Sequence, residues 1–271
     1  MMKIGLFDSG LGGLIITKSI INKMPEYDFA YIGDTAHVPY GSRSKETIYK
    51  FTKNCIDYLF KVQNCKLIII ACNTASIAGL RRLQQEYLPA NYPDRRILGV
   101  VIPTIETIIE KKYNSIGLLA TNGTVASDVF GQELRKLNKN IHLYSTPAPL
   151  LVPLIENNGD KFALPIIKEY VKSFENTDIE GIILGCTHYP HYKDLIKKEA
   201  ELLLKRNIDI ISQDEIIPQK IQSYLQRHPE IAKDLTKTSS RFFGITDMTD
   251  SYIQQAFSIF GDKIDISQVN I

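Results

Sequence analysis

The sequence predicts an α/β protein of two pseudo-symmetric domains with mainly parallel sheets and an active site in the cleft between them. Three observations carry that expectation. Short apolar runs alternate with helical periodicity nearly throughout the chain. The runs are continuous rather than alternating in polarity, as in strands covered on both faces. Landmarks also recur at a nearly constant spacing. "IGL" at Ile4–Leu6 returns at Ile116–Leu118, 112 residues on, while Val38-Pro39 and Val152-Pro153, like Cys72 and Cys186, lie 114 apart.

The elements follow in order. "KIGLF" (3–7), "FAYIG" (29–33), "LIIIA" (67–71) and "ILGVV" (97–101) read as strands of the first half. "SIGLLA" (115–120), "IHLYS" (141–145) and "GIILG" (181–185) read as strands of the second. "IDIIS" (208–212), with the helical stretches after it, reads as a return to the first half. The expected domains are therefore 1–97 plus 208–271, and 98–207. After Cys72, the residues Ile77, Leu80, Leu83 and Tyr87 share a helical face. After Cys186, Leu195, Ile196, Leu202 and Leu203 do the same. A length of 271 residues suits one large or two small α/β domains.

Composition narrows the class. With 44% hydrophobic and 23% charged residues the chain resembles a soluble globular protein with a real core. A net charge of +2, with no basic stripe, gives no sign of a nucleic-acid surface. "KKEAELLLKR" (197–206) is mixed in sign and reads as a solvated helix face. No apolar run has the length of a membrane span, and "MMKIGLFDSG" lacks the apolar segment of a signal peptide. The expectation is a cytoplasmic protein with reduced thiols, because the four cysteines form no CxxC and no framework. Cys55 and Cys65 read as small packing residues.

Polar clusters stand where the strands end: "DSGLGG", "GDTAHVPYG", "ACNTAS", "ATNGT" and "GCTHYP". In open parallel sheets ligands bind at those carboxyl ends. Cys72 and Cys186 each stand at such an end, just before a helical pattern, where helix N–H groups favour thiolate over thiol. Asn73, Thr74 and Ser76 are placed to cap the helix or bond a carboxylate. Thr187 repeats that role beside Cys186, and His188 adds a titratable group. Two thiols facing each other across a pocket can remove a proton from one face of a carbon and deliver one to the other. That inverts a stereocentre. Because an α-proton beside a carboxylate is a poor acid, the site must also stabilise the carbanion, for which Ser9, Thr74, Thr121, Thr124 and Thr187 are suited.

"FDSGLGGL" (7–14), "GDTAHVPYG" (33–41), "ACNTAS" (71–76), "ATNGT" (120–124), "VPLIE" (152–156) and "GCTHYP" (185–190) together resemble the glutamate racemases of the aspartate/glutamate racemase superfamily. The resemblance runs in order to about Pro190 and weakens towards "FFGITDMTDSY". It implies a cofactor-independent, two-base isomerase that interconverts L- and D-glutamate for peptidoglycan synthesis. Carried over by residue, Cys72 and Cys186 are the acid/base thiols. Asp8 assists near Cys72, and Glu156 and His188 assist near Cys186. Asp8, Ser9, Tyr40, Gly41, Asn73, Thr74, Thr121, Thr124, Thr187 and His188 bind the substrate. The implied partner is glutamate alone, with no nucleic acid or membrane, and a homodimer is left open. His37 departs from the family's arginine, and His191 stands where an aliphatic residue is usual.

Blander readings compete. A lone strand-end cysteine is more often packing than catalytic, and the matched pair reverses that. Asp8 could simply form a turn before Gly10, Thr121 and Thr124 could cap a helix, and Glu156 could lie in an exposed turn. Cys186, His188 and His191 hint at zinc, but no second ligand pair has metal spacing, so no metal is expected. The alternatives are a racemase of another acidic amino acid such as aspartate, a nucleotide-binding oxidoreductase, and a non-catalytic amino-acid-binding protein. The oxidoreductase would use the glycine-rich turn and Asp34, although glycines 10, 12 and 13 do not spell GxGxxG.

Overall fold

A computed structural model describes residues 2–261 and 264–271. The chain divides into two compact units, residues 1–100 with 217–271, and residues 101–216. In the first unit the order is β1 (Lys3–Asp8), α1 (Gly13–Lys23), β2 (Phe29–Gly33), α2 (Lys45–Lys61), β3 (Cys65–Ile70), α3 (Asn73–Arg82), α4 (Leu88–Asn91) and β4 (Arg96–Gly99). The second unit holds α5 (Val101–Glu110), β5 (Ser115–Ala120), α6 (Asn122–Ser127), α7 (Val129–Leu137), β6 (His142–Pro147), α8 (Leu151–Glu156), α9 (Ala163–Lys172), β7 (Gly181–Gly185), α10 (Lys193–Leu204) and β8 (Asp209–Ile211). The chain returns to the first unit within α11 (Gln213–Arg227) and continues through α12 (Pro229–Ala232), β9 (Arg241–Ile245), α13 (Asp250–Phe260) and β10 (Ile266–Gln268).

Both sheets are parallel throughout. The first runs β10-β9-β2-β1-β3-β4 and the second β6-β5-β7-β8. Without β9 and β10, the first order is second strand, first, third, fourth. The second sheet repeats it. The two "IGL" segments occupy β1 and β5, and the two thiols follow β3 and β7. The expected α/β class with parallel sheets in two units is therefore what the chain adopts.

The continuous apolar runs do cover both faces. Ile4 and Leu6 of β1, with Leu67 and Ile69 of β3, belong to one core cluster. Phe7, Ile68 and Ile70 belong to another. Successive strand residues point to opposite faces, so these clusters lie on the two sides of one sheet. The second unit packs Leu119, Ile182 and Leu184 with Ile167 and Phe174. Cys55 and Cys65 are buried, and no disulfide joins any of the four cysteines. Among the described residues no helix is long and apolar enough to cross a membrane.

Three expectations are corrected. β8 pairs with β7, Gly181 opposite Asp209, so "IDIIS" completes the second sheet and the return begins near Ile217 instead of 208. β9 and β10 extend the first sheet beyond the strands read from sequence. Leu202 is 64% exposed, because the buried face of α10 runs through Ile196, Glu199 and Ala200.

One carboxylate guides the return. Asp28, buried at the start of β2, accepts hydrogen bonds from the Thr238 and Ser240 amides at 2.8 and 2.9 Å and from the Thr236 and Thr238 hydroxyls. The knot lays residues 236–240 alongside and sets Arg241 opposite Phe29. Burial alone would raise the Asp28 carboxyl, but these donors outweigh it and hold it at about 2. Asp28→Ala should cost about 3 kcal/mol at pH 7, read from the urea midpoint. Because the folded pKa is depressed, the contribution is complete above the ordinary value of 3.8 and lost as pH falls towards about 2. The gap between wild type and variant should close over that window.

Candidate active site

Register brings the first group of residues to one sheet end. Phe7 pairs with Ile70 and Asp8 with Gly33, so the loops after β1, β2 and β3 leave at one level. Cys72 is the N-cap of α3, and its sulfur accepts the Ala75 amide at 3.4 Å. Ser9 Oγ lies 3.3 Å from the same sulfur. Asn73 and Thr74 fill the first turn of α3 and are buried, while Ser76 donates to the Ile70 carbonyl at 3.1 Å. A sulfur bearing negative charge would meet an aligned amide and a hydroxyl here.

Asp8, fully buried, accepts the Gly10 amide at 3.0 Å, the turn that the sequence reading allowed for it. Gly13 is required beside it, since a Cβ there would stand 2.4 Å from Asp8 Cβ.

Sequence reasoning missed the role of Asp34. Its carboxylate receives the Tyr40 hydroxyl at 2.6 Å, the Thr246 hydroxyl at 2.8 Å and His37 Nδ1 at 2.8 Å. Tyr40 is thus buried with its proton committed to Asp34, and Gly41 lies in the 3₁₀ turn that Tyr40 opens. His37 stacks on Phe51, centroids 3.9 Å apart. The acid that a dinucleotide-binding reading needs for a ribose is therefore occupied by three side chains of its own unit.

The second group gathers in the same manner. Ala120 pairs with both Pro147 and Gly185, so Thr121 and Cys186 follow at one sheet end. Thr121 caps α6 by accepting the Thr124 amide at 3.3 Å, and its hydroxyl donates to Thr124 Oγ1 at 3.1 Å. Thr187 is buried beside Cys186 in sequence. His188 Nδ1 stands 3.8 Å from Cys186 Sγ, and His188 Nε2 stands 3.0 Å from Glu156 Oε1. Glu156 closes α8 and is not an ordinary exposed turn residue. Burial alone would push the His188 imidazolium down; the bonds to Cys186 and Glu156 outweigh it and hold it well up, at about 10.

The two thiols are matched in position and differ in support. The helix expected directly after Cys186 is absent there: a 3₁₀ turn, Tyr189–Tyr192, intervenes before α10. Cys186 therefore has a histidine backed by a carboxylate in place of a helix cap. His191 lies outside this chain of contacts, bonding Asp160 at 3.1 Å, which Tyr192 also reaches at 2.8 Å. Among the described residues no group of three His, Cys, Asp or Glu side chains could hold a metal ion.

The model of the Asp/Glu/Hydantoin racemase family matches residues 12–212. The glutamate racemase of Sulfurihydrogenibium sp. (strain YO3AOP1) is 35% identical over 275 residues, covering 99% of each chain. Among solved structures, a glutamate racemase isoform of Bacillus anthracis superposes with a TM-score of 0.87 at 29% identity, covering 100% of this chain and 98% of its own. Glutamate racemase of Francisella tularensis in complex with D-glutamate gives 0.84 at 30%, covering 99% and 97%.

The His188 contacts yield a titration test. A raised folded pKa means that protonation favours the folded state, a contribution complete below the ordinary 6.5 and lost as pH rises through about 10. Glu156→Gln should lower the His188 midpoint, followed by imidazole NMR, by about one pH unit. It should also flatten the loss of stability with rising pH. An unmoved midpoint would mean that Glu156 does not support the imidazolium.

Proposed function

The chain belongs to the Asp/Glu/Hydantoin racemase family, and on that premise we propose that it interconverts L- and D-glutamate by two-base proton transfer between Cys72 and Cys186. The observation that carries the reading is the pair of strand-end thiols at matched places in two sheets of the same order, each with its own proton partner.

In this mechanism one cysteine, as thiolate, removes the α-proton while the other, as thiol, protonates the opposite face. The C–H electron pair passes into the carboxylate as an enediolate-like carbanion and returns to bond the new proton. The enzyme is left with the two protonation states exchanged, which is the form that starts the reverse reaction, and exchange with water resets it. Ser9 and the α3 amides stabilise charge at Cys72. His188 with Glu156 does so at Cys186, where the imidazolium can also return a proton. Asp8 assists Cys72. Asn73, Thr74, Thr121, Thr124, Thr187 and the Tyr40–Gly41 turn hold the substrate's carboxylates and ammonium and stabilise the carbanion by fixed dipoles. The reaction needs neither metal nor pyridoxal phosphate, takes place in the cytoplasm and serves peptidoglycan synthesis.

Replacing either cysteine by serine should abolish racemisation, because a hydroxyl is too weak an acid to replace a thiol as the base. Each variant should still eliminate a leaving group from a β-substituted substrate, from one enantiomer only, and the two should prefer opposite enantiomers. A shared preference, or racemisation near the wild-type rate, would mean that one thiol is structural.

A chiral assay separates the substrates. Glutamate should racemise in EDTA and aspartate should not. Turnover of aspartate alone would move the reading to the other acidic amino acid, and loss in EDTA with rescue by zinc would overturn the cofactor-free mechanism.

A further inference from the structure

Two buried tyrosines hold the loops around the thiols, one in each unit. Tyr31, in the middle of β2, donates its hydroxyl to the Gly10 carbonyl at 2.5 Å. The same oxygen lies so close to Gly33 that a Cβ there would stand 2.4 Å away. Tyr31 thus bonds the Gly10 peptide where it passes close over Gly33, and Gly10 follows Ser9, whose Oγ is 3.3 Å from Cys72 Sγ. Tyr189 donates to the Ala148 carbonyl at 2.7 Å. Ala148 is the joint between β6 and α8: its amide reaches the Ala120 carbonyl at 2.8 Å, and its carbonyl receives the Leu151 amide at 3.3 Å. α8 ends on Glu156, the partner of His188.

A buried phenol takes a hydrogen-bond partner, and the partner decides which segment the ring holds. Both rings are buried, and both hydroxyls end on a loop carbonyl, that of Gly10 next to Ser9 and that of Ala148 just before α8. Burial first, then the charges of Asp8 and Cys72, raises the Tyr31 phenol well above the usual range. Burial, then Cys186, does the same for Tyr189. Each therefore keeps its proton and donates at any working pH.

We propose that Tyr31 and Tyr189 are positioning residues, the first holding the Ser9 turn against Cys72 and the second holding α8, and so Glu156, against His188 and Cys186. The inference rests on the two-thiol reading above.

The test is a crossed comparison of Tyr31→Phe and Tyr189→Phe, each keeping the ring and losing the donor. Iodoacetamide alkylation rates of Cys72 and Cys186 are read separately by peptide mass spectrometry. Tyr31→Phe should change the Cys72 rate at least about threefold and leave Cys186 unchanged, and Tyr189→Phe should do the reverse. In each variant kcat should fall about tenfold while KM moves less than about twofold, as for misplaced catalytic groups. Unchanged rates, or both thiols moving together in each variant, would overturn the proposal. Should a variant fail to fold, hydrogen exchange in the wild type decides. Amides of residues 8–13 and of Thr146, Ala148, Leu150 and Leu151 should exchange as slowly as β1 and β7, and rapid exchange would count against the clamps. If the cysteine variants are inactive and alkylation is unmoved, the tyrosine inference fails alone. Active cysteine variants would remove the reading beneath it.

Discussion

A parallel strand buried on both faces leaves only its ends for chemistry. In the first sheet, isoleucine, leucine and phenylalanine occupy both sides of the middle of β1 and β3, where a polar side chain would lose its water without gaining a partner. Reactive residues are accordingly displaced to the loops after the strands, and their mutual placement is set by strand pairing. Phe7 opposite Ile70 and Asp8 opposite Gly33 deliver three loops at one level. A slip of one residue would turn the apolar side chains to the wrong face, so the core that resists the slip also fixes Ser9 against Cys72. The geometry of the thiols is inherited from hydrophobic burial some residues away.

Within that shared frame the two units hold charge in different ways. At Cys72 the partners include a backbone amide and a neutral hydroxyl, neither of which changes its charge with pH. At Cys186 the partner is a titratable imidazole between sulfur and carboxylate. The first device depends on an intact helix start, and the second on a side chain reaching across from α8. Similar sheets thus set the two cysteines among unlike partners.

The parts legible in the sequence were those governed by near neighbours. Continuous apolar runs revealed seven strands in the right places, and the spacing of Cys72 and Cys186 revealed a repeated plan that the common strand order reproduces. The parts missed depend on distant residues. Thr246 reaches Asp34 across 212 positions, and Thr236 reaches Asp28 across 208, with no local pattern to mark either. β9 is five residues long with an exposed approach, and the Asp28 knot that leads into it joins residues far apart in sequence. β8 was seen as a strand but assigned to the wrong sheet, because three residues at an edge carry no sign of which neighbour they join. The 3₁₀ turn after Cys186 was hidden by the helical pattern of α10, which begins seven residues later.

The first unit is discontinuous, closed by residues 217–271 after the second unit has intervened. On a ribosome, which releases the chain from its N-terminus, the strands β1 to β4 therefore emerge early and wait, with the edge of β2 open and Asp28 and Asp34 still lacking Thr236 and Thr246. The second unit is one uninterrupted segment and has all its strands as soon as residue 216 is clear. The half of the protein that is synthesised second is thus the first that can finish folding.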